Sequence, residues 1–443
     1  MYKKVNSETF FGGRQVLFLI FLVALLIRVI FVFTLKDGFY FADEFDYTLI
    51  ARYFVEHGKL PESFDRSPLF PLFLAGLFKL GGESFFYIRI VQAALGAIIT
   101  LQIVVIGRRV GGLGVGIVAG VLWAIYPMST FMSGIFYPAI LLTGLMTSAV
   151  LCLLPSAKNY AYTARVALAG LLLGAATLTK PMVFATIVVV AFWLFMQRRS
   201  GRLLLVSIFL GSALVALLPW TLHNVVKHGR LIPVESRSLE ELVPWAEKST
   251  ARTIDGKRDQ GQLTQAKGDS MPVTQLIQAT DDNAAVAQPS ADNELVVMFT
   301  RMAKRYPGEF MSFFELYPNR VGFLAQSQRD KAHRKKTERF VRYIPFGSDL
   351  VMTVSILSVG PLYIFAIVGM VSMWRGREKR RELSLFVLIV MSFALSYAVS
   401  WGKIRYRVPV DPYIILLSAW GVVAFWNRVF KKGSTALTRQ DSA

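Results

Sequence analysis

The chain has 443 residues, 54% of them hydrophobic and 13% aromatic, with a mean hydropathy of +0.47 and a formal net charge of +20. A soluble domain sits well below that apolar content, and apolar runs of about 20 residues, the length a helix needs to cross a bilayer, recur throughout. The positive charge therefore reads as topology-setting cations in short loops rather than a nucleic-acid surface, and no nucleic-acid partner is expected.

About ten spans are predicted, at roughly 16–35, 85–106, 112–128, 134–154, 163–179, 182–197, 203–222, 351–373, 383–400 and 409–427. The first is long, contains Arg28 and lacks a small-residue cleavage motif after it, so it reads as a retained span rather than a signal peptide. Arg28 itself is expected to pair with a buried acid or to snorkel. Just after this span stands the acidic cluster Asp43, Glu44 and Asp46. Carboxylates beside hydrocarbon are costly, which marks the cluster for function. The loop from Lys36 to Ser84 holds two apolar helical patterns, Asp46 to Val55 and Leu69 to Leu80, both too short to span and expected to lie along the interface. Gly112, Gly114, Gly116 and Gly120 read as helix-packing positions, because no strand precedes them as a dinucleotide loop would require.

Basic clusters fall in alternate connections: Lys3, Lys4 and Arg14; Arg108 and Arg109; Lys158 and Arg165; Arg198, Arg199 and Arg202; Arg375 to Arg381; and Arg428, Lys431 and Lys432. The positive-inside rule puts all of these, and both termini, in the cytoplasm. The other connections then face outward. The second long one, from His223 to about Leu350, contains a polar insert at 248–293 and helical periodicity from Glu294 to Arg342. Residues 1–222, 223–350 and 351–443 form an N-terminal membrane module, an extracytoplasmic region and C-terminal helices. Lys403, Arg405 and Arg407 break the charge rule on the outer side, which points to an anionic ligand.

Cys152, the single cysteine, excludes an intrachain disulfide and a thiolate metal site, and His57, His223, His228 and His333 lack metal-ligand spacing. No cofactor is required by this pattern. A divalent cation such as Mg or Mn is an open option, because Asp43, Glu44 and Asp46 carry oxygen ligands. One carboxylate beside Arg and Lys groups suits transfer of a sugar from a lipid phosphate. A base takes the acceptor proton, and cations hold the departing phosphate.

Six blocks, in order, resemble GT-C fold glycosyltransferases that use polyprenyl-phosphate sugars, in particular the protein O-mannosyltransferase-like, aminoarabinose-transferase-like and lipopolysaccharide galacturonic acid transferase-like enzymes. The blocks are Asp43-Glu44-x-x-Tyr47, Ala51-Arg52, Arg66-Ser67-Pro68-Leu69-Phe70-Pro71, Leu178-Thr179-Lys180-Pro181, Pro219-Trp220 to Pro233-Val234, and Arg405-Tyr406-Arg407-Val408-Pro409-Val410. The resemblance implies an all-α polytopic membrane protein of the GT-C fold. It implies Asp43 as catalytic base with Glu44 beside it, and Arg66, Lys180, Arg405, Arg407 and His223 at the donor phosphate. Tyr47 and Tyr406 would line the substrate. The chain departs from the pattern at Tyr137-Pro138, where relatives carry an acid before the proline, and at His223-Asn224, where they carry Arg-Asn.

The implied partners are a polyprenyl-phosphate-linked sugar and an acceptor that is a lipid, a glycan or a protein, within a bacterial inner membrane. Two other functions fit some of the features: a lipid-linked sugar flippase, and a structural subunit of an envelope assembly. A flippase needs polar groups at mid-depth, yet 129–157 and 182–195 carry no charge.

Overall fold

The structure, a computed structural model, describes residues 7–61, 66–154, 162–197, 201–228, 232–235, 307–308, 310–315, 348–399 and 404–440. The polar insert at 248–293 lies outside the described residues, as does most of 294–342. The chain forms α1 (Ser7–Thr34), α2 (Ala42–His57), α3 (Leu69–Gly81), α4 (Phe85–Gly111), α5 (Leu113–Ala124), α6 (Pro127–Ser133), α7 (Ala139–Leu153), α8 (Tyr162–Thr177), α9 (Val183–Phe195), α10 (Arg202–His228), α11 (Ser348–Arg375), α12 (Arg380–Val399) and α13 (Asp411–Gln440).

Among the described residues six helices are long and apolar enough to cross a membrane: α1, α4, α10, α11, α12 and α13. The α5–α6 pair, bent by 58°, makes a seventh, and α7, α8 and α9 are shorter apolar helices. Every stretch expected to span is thus largely helical, and the chain is a multi-pass membrane protein. Phe18, Leu22, Phe33, Val188, Leu214, Leu357 and Ile364 project outward from the bundle, as side chains facing lipid do.

Three features differ from the sequence reading. The third span is not continuous: Pro127, which lacks an N–H, starts α6 in a new direction after Tyr126. Arg28 neither meets an acid among the described residues nor snorkels. It is fully buried and donates to the carbonyls of Ala24 (3.0 Å), Trp123 and Ala124 (both 3.5 Å) and to Ser129 Oγ (2.8 Å). A cation at the C-terminus of α5 thus satisfies carbonyls that the break exposes. The four glycines do different jobs. At Gly116 a Cβ would lie 2.6 Å from the Val104 carbonyl oxygen and at Gly120 it would strike Val104, so both allow close packing on α4. Gly112 instead takes φ +87° to turn the chain between α4 and α5.

The remaining interfaces follow the same small-residue logic. Gly170 and Gly174 of α8 meet α10 backbone at Phe209 and Ala213. Gly369 of α11 and Gly421 of α13 abut each other's helices at the carbonyls of Leu417 and Phe365. Gly369→Val is therefore expected to lower the thermal unfolding temperature of the detergent-purified protein. Its cost should be at least the roughly 1–3 kcal/mol of an overpacked core. Gly211→Ala, where a Cβ meets nothing within 4 Å, should leave that temperature unchanged or raise it slightly.

Candidate active site

Helix α2 begins at Ala42, earlier than the Asp46 start read from the sequence. Asp43 and Glu44 therefore lie in its first turn, where exposed N–H groups favour negative charge. Their side chains go separate ways. Glu44 is fully buried, and its Oε1 accepts the backbone N–H of Tyr40 (2.9 Å) and Phe41 (2.8 Å). Its Oε2 accepts the N–H of Phe136, in the connection from α6 to α7, at 2.9 Å. Burial raises this carboxyl to about 7, against the backbone bonds and the Arg89 charge, which lower it. Of the roles read for Glu44, the geometry is that of a cap. Arg89 secures the same loop from α4, donating to the carbonyls of Lys36 (2.9 Å) and Gly38 (2.8 Å) over the rings of Tyr40, Phe85 and Phe136.

Asp43 keeps a partly open face, with 21% of its side chain exposed. Arg66 donates through one nitrogen to Asp43 (2.9 Å) and Asp46 (2.6 Å), and its guanidinium lies over the Tyr47 ring. Burial disfavours the Arg66 charge, but the neighbouring carboxylates outweigh it and hold the group above its ordinary pKa. Both carboxylates come from α2. Tyr47 is itself buried, packed edge-on against Phe70 and Tyr137.

The segment after Arg66 is pinned twice. Ser67 donates from its N–H (2.8 Å) and its hydroxyl (2.7 Å) to Glu235, and the Leu69 N–H donates to the Leu178 carbonyl at 3.0 Å. The second bond brings the start of α3 beside the α8–α9 turn that carries Lys180. The Lys180 ammonium lies over the rings of Tyr137 (5.9 Å) and Tyr406 (5.5 Å). It lines a narrow cleft of about 10 Å³, room for about one water, with Tyr137, Pro138, Leu142, Met182, Phe393 and Tyr406 among the walls. The cleft is apolar except at its head.

Arg405 and Arg407 share a short 3-10 turn, Ile404–Arg407, before α13. The Arg405 side chain lies outside the described residues. Arg407 is buried and does not face a ligand. It donates to Asp411 (3.0 Å), to the carbonyls of Phe313 (3.2 Å) and Glu315 (2.8 Å), to the Tyr363 hydroxyl (2.7 Å) and to the Tyr126 hydroxyl (3.5 Å). The expectation of a phosphate contact at Arg407 is corrected: its donors are spent inside the protein, where a buried guanidinium must be paired. His223 is exposed on α10 with its ring stacked on Trp220 at 5.3 Å, and no contact draws it to the cleft.

Glu235, Arg89, Tyr126 and Asp411 were not singled out from the sequence. Asp411 had a signal, four residues after Arg407 at a span entrance. Glu235 had none, since its partner Ser67 is 168 residues away. Among the described residues no group of three or more His, Cys, Asp or Glu could hold a metal ion. Both Glu44 oxygens serve backbone, and Asp43 and Asp46 share Arg66, so the three carboxylates do not form a shared oxygen cage.

Residues 65–223 match the profile of the dolichyl-phosphate-mannose-protein mannosyltransferase family. No curated protein matches the chain in sequence. Among solved structures it resembles the archaeal oligosaccharyltransferase AglB of Archaeoglobus fulgidus, determined with an inhibitory peptide and a dolichol-phosphate. That match has TM-score 0.57 and 14% identity, over 98% of this chain and 52% of AglB. It also resembles ArnT of Cupriavidus metallidurans in the apo state (TM-score 0.54, 14% identity, 94% of this chain and 60% of ArnT). The same ArnT bound to undecaprenyl phosphate matches at TM-score 0.51 with 13% identity, over the same shares of both chains. The chain thus spans about half to three-fifths of the length of these relatives. The likeness establishes the fold: the chain has the GT-C membrane architecture.

The buried cap makes a direct claim on stability. Glu44→Ala would leave three backbone N–H groups buried without an acceptor, each costing roughly 1–3 kcal/mol, and should unfold well below the unaltered protein. Glu44→Gln, which keeps one acceptor oxygen, should fall between. Asp46→Ala, with 46% of the side chain exposed, should cost no more than about 1 kcal/mol. Equal unfolding temperatures for all three in a detergent melt would refute the cap.

Proposed function

We propose that the chain is a membrane glycosyltransferase that moves a sugar from a polyprenyl phosphate to an acceptor hydroxyl. The observation that carries this reading is the joined arrangement of the Asp43–Arg66 pair and the Lys180 cleft, linked by the Leu69–Leu178 backbone bond. Asp43 is a partly exposed carboxylate paired with Arg66, and Lys180 is the cation at the head of the apolar slot. The lipid phosphate is assigned to Lys180, with the isoprenoid tail against the apolar wall of Leu142, Met182 and Phe393. Relatives crystallised with dolichol-phosphate and with undecaprenyl phosphate support a lipid phosphate as the ligand.

In the proposed reaction the Asp43 carboxylate takes the proton of the acceptor hydroxyl, whose oxygen attacks the anomeric carbon. The bond from that carbon to the phosphate oxygen breaks with its electron pair going to the phosphate, and configuration inverts. Arg66 orients the Asp43 carboxylate through its hydrogen bond to one oxygen. Lys180, Arg66 and Arg405 neutralise the leaving phosphate. Tyr406 and Tyr137 bound the cleft, and buried Tyr47 supports it from behind. Arg407 takes a positioning role, holding the turn that carries Arg405 and Tyr406. No step is assigned to a divalent cation.

The positive-inside pattern supports cytoplasmic termini and a site on the outer side of a bacterial inner membrane, where the acceptor is an envelope glycolipid, glycan or protein. Asp43→Asn should reduce transfer by at least the roughly 10²–10⁴-fold that a general base contributes, with lipid-phosphate binding retained. Lys180→Ala should raise the donor KM more than it lowers kcat. Transfer assays with purified protein and a panel of polyprenyl-phosphate sugars check both, and near-normal turnover by Asp43→Asn would remove the base from the proposal.

A further inference from the structure

The Lys180 ammonium is held by rings rather than by an acid. It lies over the Tyr137 ring, 5.9 Å from its centre, and over the Tyr406 ring, 5.5 Å from its centre. Among the described residues no carboxylate comes within ion-pair distance of it. Glu235, which clamps Ser67, acts on it from beyond that distance. The two rings stand 6.5 Å apart at 23° and are themselves fixed. Tyr137 is 1% exposed, packs edge-on against Tyr47, and donates its N–H to the Ile135 carbonyl at 2.8 Å. Tyr406 rides on the turn that Arg407 anchors from the next position. Lys180 and both rings line the cleft. The face of an aromatic ring is negative, so it attracts an ammonium within about 6 Å without neutralising it. A carboxylate in the same place would pair with the ammonium and compete with any anion that entered.

We propose that Tyr137 and Tyr406 are positioning residues, whose ring faces hold the charged Lys180 ammonium at the cleft and leave it open to the donor phosphate. The phosphate half of this rests on the donor reading above. Lysine has a flexible four-carbon stem, and an ammonium that swings into water must be brought back before it grips an anion. The rings place it beforehand, so their contribution shows in the affinity for a lipid phosphate. The size of that contribution follows the electron density of each ring face.

Two measurements test this. The first is magnetic resonance of the purified full chain with lysine labelled by carbon-13 at Cε. Ring currents should move the Lys180 ε-protons upfield of those of the other lysines, the signal being assigned by its loss in Lys180→Arg. Tyr137→Leu and Tyr406→Leu should each bring it back toward the rest. A Lys180 signal that lies among the others in the unaltered protein overturns the proposal, whatever the lipid does. The second is equilibrium binding of undecaprenyl phosphate to Tyr137→Phe and its mono-, di- and trifluorinated forms, with the same series at Tyr406. Fluorine withdraws electrons from the ring face and changes its shape little. Affinity should fall step by step along each series, by about fivefold in all, the scale of one cation–π contact. In a Lys180→Ala background the series should be level. A level series with Lys180 present removes that ring from the role, and level series at both positions overturn the proposal. If the upfield signal is present but the unaltered protein does not bind undecaprenyl phosphate, the donor reading falls and the ring hold on Lys180 stands.

Discussion

Inside a bilayer every backbone N–H and C=O must find its partner within the protein. A long helix meets that demand by itself, but this bundle interrupts its helices at the end where the cleft lies. Charged side chains supply what each interruption leaves open. Arg28 takes the carbonyls at the end of α5, Glu44 takes three amides around α2 and α7, and Arg89 takes two carbonyls of the loop after α1. Arg407 takes the carbonyls of Phe313 and Glu315. At the opposite end Arg109 and Arg165 do the same for the last turn of α7. The irregular backbone needed to build a cleft is thus held by buried charge.

That division sorts the polar residues by burial. Glu44, Arg28, Arg89 and Arg407 are all under 4% exposed and serve the main chain. Asp43, Arg66 and Lys180 keep partly open surfaces. A buried charge with its bonds committed inside the protein cannot reorganise cheaply, which makes the anchors a rigid frame. The proposed chemistry then falls to groups that ride on this frame at short range: Asp43 one residue from Glu44, and Lys180 two residues from the Leu178 carbonyl that fixes α3.

The helices and their order were legible because lipid imposes length and apolarity, a signal that needs no partner to be read. The Asp43–Glu44 pair was legible as a site because charge at a membrane boundary is rare. What each of the two does was not, because adjacent residues on a helix point in different directions, and only the packed loop decides which one is buried. Arg407 misled for a related reason. A cation on the unexpected side of the membrane suggested an anion, and the anion is Asp411, one turn further along the same chain. The α5–α6 break was written in Tyr126-Pro127, but an apolar run on both sides concealed it. Glu235 and Ser67 are joined only by the fold.

The lengths of α8 and α9 have a consequence for the lipid around them. Their described 16 and 13 residues rise about 24 and 20 Å, against a hydrocarbon core of about 30 Å. Both expose apolar side chains outward, among them Leu168, Leu171, Val188 and Phe192. A bilayer meeting such a wall is drawn thinner, and its headgroup plane dips toward the turn between the two helices. That turn carries Lys180. A bilayer thinned there brings its headgroup plane nearer the Lys180 ammonium, where the proposed donor phosphate would be met without leaving the interface.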